Sequence, residues 1–106
     1  MLGGMDGISA LDDAVDALAD RLRRLPESTL RAGAGAAGLR CARELARRAQ
    51  LLERPGREPA VMPDAGMFAV GDQVAVAGHD LADALRAMPG ADAELREALA
   101  LVRSVR

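Results

Sequence analysis

A chain of 106 residues is a single-domain length with material for one modest core. Half of its residues are hydrophobic but only Phe68 is aromatic, so the core must be built from small aliphatic side chains, which leaves little room for a large internal pocket. The formal charge of -2, from 14 basic and 16 acidic residues, disfavours nucleic acid as a partner.

The lone cysteine, Cys41, excludes an intrachain disulfide and a cysteine zinc site within one chain. No basic leader followed by an apolar run opens the sequence, and no charge-free stretch approaches the roughly 20 residues of a membrane helix. The expectation is therefore a cytoplasmic protein with no membrane association. All 14 basic residues are arginine, a bias that suggests a GC-rich bacterial genome.

Residues 1–7 are expected to be frayed. Ser9 followed by Asp12 resembles a capping box, which predicts a first helix over residues 9–25. Its stripe is Ile8, Leu11, Val15, Leu18, Leu22 and Leu25, in alternating steps of three and four. Asp12, Asp13 and Asp16 lie early in it and Arg21, Arg23 and Arg24 late, the order that the helix dipole favours. Pro26 ends it. A second helix over residues 28–53 should run back antiparallel after so short a connection. It turns Leu30, Ala34, Ala37, Cys41, Leu45, Ala49 and Leu52 inward. Its outer face carries Arg40, Arg43, Glu44, Arg47, Gln50 and Arg54, with Glu44 spaced to pair with Arg48.

Pro55, Gly56, Pro59, Pro63 and Gly66 make residues 54–66 a long loop, able to carry the next helix to a non-neighbouring position. Residues 67–88 place Met67, Gly71, Val74, Gly78, Leu81, Leu85 and Met88 on one helical stripe. The alternative is a hairpin at about residues 67–77, because Phe68, Val70, Val74 and Val76 alternate around Gly71-Asp72. The helix is preferred because the stripe runs unbroken past Gly78. Pro89 and Gly90 stop it, and a last helix over residues 91–105 carries Leu95, Leu99, Val102 and Val105. The predicted fold is all-α, an up-down four-helix bundle in a single domain; the hairpin would make it α+β.

Three stretches bear on chemistry. Gly33, Gly35 and Gly38 match the G-x-G-x-x-G pattern of dinucleotide-binding loops, but no strand precedes them. The expected role is close packing against the helix with Gly71 and Gly78, or a local irregularity. No cofactor and no metal site is expected, since one His and one Cys leave only carboxylates as further ligands. His79-Asp80-Leu81, with Leu85 beyond, resembles the start of the phosphoacceptor box of sensor histidine kinases, and the size resembles that of histidine phosphotransfer domains. The resemblance implies His79 as phosphoacceptor, with Asp80 and Asp83 beside it. Ala82, Asp83 and Ala84 depart from that box. The residues themselves suggest a surface histidine on the helix flank, paired with Asp83 and with a raised pKa.

The leading expectation is a small non-catalytic protein-interaction module, not an enzyme. Its candidate partner surface is Arg40, Arg43, Arg47 and Arg54, and its partner is an unknown protein or a second copy, as a homodimer through helix-flank alanines such as Ala75 and Ala82. The alternative is phosphotransfer through His79.

Overall fold

The computed structural model describes residues 3–106, with side chains from Gly7 onward; of the end expected to be frayed, Met1 and Leu2 lie outside the described residues, and residues 3–7 are helical. Four main helices form a closely packed bundle: α1 (Gly3–Arg24), α2 (Gly35–Glu53), α3 (Val70–Arg86) and α4 (Asp92–Arg103). No strand occurs among the described residues, so the hairpin alternative at residues 67–77 is not adopted. Instead one 3-10 turn, Met67–Ala69, leads into α3.

α1 begins at Gly3, so Ser9 lies inside the helix and does not cap it. The Leu95 side chain of α4 lies where a Cβ on Gly7 would fall, 2.5 Å from its Cδ2, so α4 docks onto the early turns of α1 and supports helix there that local capping signals do not announce.

The helix expected over residues 28–53 is broken. A short turn at Glu27–Thr29 runs into a wide turn at Leu30–Ala34, in which the Gly35 N–H reaches back five residues to the Leu30 carbonyl. Gly33 sits there at φ 149°, a backbone angle that a side chain strongly disfavours, so this glycine is the reason the chain can kink and α2 can start afresh.

α3 is the central element. It buries Val70, Gly71, Val74, Ala77, Gly78, Leu81, Ala82, Ala84 and Leu85, more than one amphipathic stripe requires, because it packs on α1 along one side and α2 along the other. Towards α1 the approach is made by glycines. A Cβ on Gly78 would lie 2.5 Å from both methyls of Val15, and one on Gly71 would lie 2.8 Å from the Ala19 carbonyl oxygen. Gly38 of α2 lies beneath Val70 and Leu22. The glycine-rich segment thus packs tightly on α3, as expected, but Gly71 and Gly78 face α1 instead of meeting it. Ala82 is fully buried in this layer and so is unavailable as an outer flank for a homodimer.

The contacts also fix the directions. Val15 opposite Gly78 and Ala19 opposite Gly71 make α1 and α3 antiparallel. Gly35 beside Met67, and Leu52 sharing a hollow with Leu81, make α2 and α3 run the same way. Gly7 beside Leu95, and Arg21 donating to the Val105 carbonyl oxygen at 2.6 Å, make α4 parallel to α1. The long connection at residues 54–66 is therefore a crossover that returns the chain along α2 before α3 begins, so the helical bundle runs up-down-down-up and does not alternate strictly as expected. The core joins all four helices, with Leu11, Val15, Leu45, Val74, Leu81 and Leu85 its largest fully buried side chains. Each contributes about 1.5–3 kcal/mol relative to an exposed position. No helix among the described residues is long and apolar enough to cross a membrane.

Candidate partner-binding groove

The outer face of α2 does not stand open to solvent along its length, because the crossover lies against it. Gln50 on α2 donates from Nε2 to the Ala60 carbonyl oxygen at 3.0 Å and accepts the Ala60 N–H on Oε1 at 2.9 Å, so one side-chain amide satisfies both backbone groups of one residue. Seven residues earlier on α2, Arg43 donates from Nε to the Met62 carbonyl oxygen at 2.9 Å. Gln73 on α3 then accepts the Ala65 N–H at 3.3 Å and donates to the Pro63 carbonyl oxygen at 2.6 Å. These contacts turn a segment broken by prolines into a fastened strap, in which backbone groups without a ladder of their own find partners.

The strap determines where Val61 points. Ala60 and Met62 are tied towards α2, and Met62 packs against the core. In an extended chain successive side chains alternate, so Val61 faces outward and is 75% exposed, the most exposed large apolar side chain of the described residues. A groove of about 380 Å³ runs between strap and helix, lined by Arg40, Arg43, Glu44, Arg47 and the strap residues Glu58–Val61.

The four arginines singled out from the sequence have different fates. Arg43 is half-buried and committed to the strap. Arg47 is exposed and pairs with Glu44 at 2.7 Å, and the Glu44 carboxylate also takes Arg48 at 2.8 Å, the predicted i, i+4 pair. The Arg47 hydrogen bond, aided by Arg48 and opposed by burial, pulls the Glu44 carboxyl down to about 2. Arg48 continues to Glu97 of α4 at 2.9 Å, joining two helices. Arg40, at the groove, and Arg54, past the end of α2, are exposed and have no ion-pair partner among the described residues.

His79 lies elsewhere, on the side of α3 that faces α1, and its partners are not the predicted ones. Nδ1 is 2.7 Å from Asp12 Oδ1 and Nε2 is 2.7 Å from Asp16 Oδ1. Asp12 also binds Arg86, and Arg86 holds Asp83 at 2.9 Å, so the Asp83 expected beside His79 is engaged by the arginine. Asp80 points to solvent without an ion-pair partner among the described residues. The antiparallel register of α1 against α3 overrides the i, i+4 spacing, because it offers one carboxylate to each ring nitrogen. Partial burial opposes the charge, yet the hydrogen bonds to Asp16 and Asp12 outweigh it and raise the His79 pKa. Asp12 is held below the usual carboxylate range against its own burial by hydrogen bonds from Arg86 and His79. When both ring nitrogens donate to these carboxylates the ring is an imidazolium, which has no lone pair to attack phosphorus.

Cys41 is buried on the core side of α2, and burial pushes its thiol up to about 11. No group of three or more potential metal ligands converges among the described residues.

Sequence reasoning missed Gln50, Gln73 and Val61. A signal was present: these are the only two glutamines of a chain without asparagine, and both fasten the strap. Comparison with protein-family models, curated proteins and solved structures finds no match.

Proposed function

We propose that this chain is a non-catalytic helical interaction module that binds an acidic protein surface in the groove between α2 and its strap. The observation that supports the reading most directly is Val61, a large apolar side chain held outward on a fastened segment beside exposed Arg40 and Arg47. An apolar side chain kept in water beside cations is a feature that folding alone does not reward, whereas a partner with an apolar residue among carboxylates would desolvate it and meet the arginines. We place the protein in the cytoplasm on the same reading. Phosphotransfer through His79 is the competing reading, and it requires the Asp16 contact to open and the imidazolium to lose its proton.

The test is affinity capture from a native lysate with the wild-type chain and with the double variant Arg40→Glu, Arg47→Glu. The expected result is a stoichiometric partner that is lost in the variant and released by salt, while circular dichroism shows an unchanged helical fold. A partner retained by the variant, or acid-labile phosphate incorporated at His79 by a kinase or acetyl phosphate, overturns the proposal.

A further inference from the structure

The geometry points to a second copy of this chain as an occupant of that groove, docked through the outward strip of α3 that carries Val76 and Asp80. This rests on the reading of the groove as a docking site and adds the identity of a partner.

Besides Val61 and the turn residue Phe68, Val76 is the most exposed large apolar side chain of the described residues, at 59%. It stands one helical turn from Asp72 on one side and from Asp80 on the other, and all three are exposed. Two strips of the surface thus set an exposed valine among charges of opposite sign: Val61 beside Arg40 and Arg47, in a groove also lined by Glu44 and Glu58, and Val76 between Asp72 and Asp80. The charged pairs are similarly spaced. Arg40 and Arg47 are seven residues apart on α2, about 10.5 Å along the axis, and Asp72 and Asp80 are eight apart on α3, about 12 Å. On the first strip, Val61 stands between the levels of the Arg43 and Gln50 tethers, beside Arg47; on the second, Val76 lies midway.

The charge balance favours Arg40 and Asp80 as the ion pair of the contact. Arg47 and Asp72 are occupied within the chain, by Glu44 and Arg23. Arg40 and Asp80 have no ion-pair partner among the described residues, so docking gives each its first without breaking an existing pair. The two valines come together at the centre of the contact and are desolvated there. Exposed ion pairs add little, so the association is weak and falls as salt rises.

The test is analytical ultracentrifugation of three 106-residue chains: wild type, a groove variant (Arg40→Ser, Val61→Ser) and a strip variant (Val76→Ser, Asp80→Asn). All four positions are exposed, and circular dichroism checks that each variant is folded. The wild type is expected to rise above its 11.0 kDa monomer mass as concentration approaches about 1 mM in low salt, and to return to it in about 0.5 M salt. Each variant alone is expected to lose at least tenfold in association constant. An equimolar mixture of the two is expected to regain association, because one intact groove meets one intact strip. A wild type that stays monomeric throughout overturns the inference, as does a mixture no more associated than its components. Groove-dependent capture of a different protein by a strictly monomeric chain would sink this inference and leave the proposed function standing.

Discussion

Gly78 on α3 lies directly against Val15 on α1, so that a single added methyl at residue 78 would fall 2.5 Å from both Val15 methyls. Neither partner has a free direction in which to retreat, since Val15 is fully buried in the core. Gly78→Ala gains up to about 1 kcal/mol of helix propensity. It loses about 1–3 kcal/mol to overpacking. The expected net result is destabilisation, read as a lower urea midpoint. Gly56→Ala is the control: nothing lies within 4 Å of its Cβ position and its backbone angle is ordinary, so its midpoint should hold or rise slightly. Equal midpoints for Gly78→Ala and wild type would mean that α1 and α3 are not packed this closely.

The His79 cluster predicts a pH dependence with a definite sign. The folded pKa of His79 is raised above its ordinary 6.5, so the stabilisation is complete below 6.5 and is lost as pH rises through the folded value. Asp12 behaves oppositely: its folded pKa is lowered from 3.8, so its contribution is present above 3.8 and lost as pH falls through the folded value. Between these windows both charges of the α1–α3 clasp are in place. Because the His79 side chain is 40% exposed, the imidazolium is expected to contribute under about 1 kcal/mol. Chemical denaturation of wild type and His79→Gln at pH 6 and pH 9 should show the variant less stable at pH 6 and the difference shrinking by pH 9. A difference that grows with pH contradicts the clasp.

The helical stripes were readable because each is a local repeat. Leu11, Val15, Leu18 and Leu22 are buried as their spacing requires, and so are Cys41, Leu45 and Ala49. What could not be read locally is what helices do to one another. The glycines of residues 33–38 announced tight packing or a local irregularity, and both occur, but which glycine carries the kink depended on where α2 must pass to meet α3. His79 shows the same division. Its raised pKa followed from a carboxylate-rich surrounding, but which carboxylates supply it depended on the register of α1 against α3, and Asp12 and Asp16 are 67 and 63 residues away in sequence. The segment 54–66 was legible as non-helical from its prolines, yet its fixed path depends on two glutamines from different helices.

The strap supplies the last prediction, because the groove exists only while the strap is fastened. Gln50→Ala removes both hydrogen bonds to Ala60, and Gln50→Glu keeps an acceptor for the Ala60 N–H but faces the carbonyl oxygen with a second acceptor. A net hydrogen bond is worth about 0.5–1.5 kcal/mol, so global stability should fall only modestly. The local effect should be larger, since Arg43 and Gln73 hold the strap from Met62 onward and leave residues 54–61 without any other side-chain tether among those described. In Gln50→Ala the Ala60 amide is therefore expected to lose most of its hydrogen-exchange protection, and protease cleavage near Arg57 to accelerate, while amides in the core of α3 remain protected. Equal loss across α3 would show that the strap is part of the cooperative core. An unchanged Ala60 amide would show that Gln50 is not what fastens it.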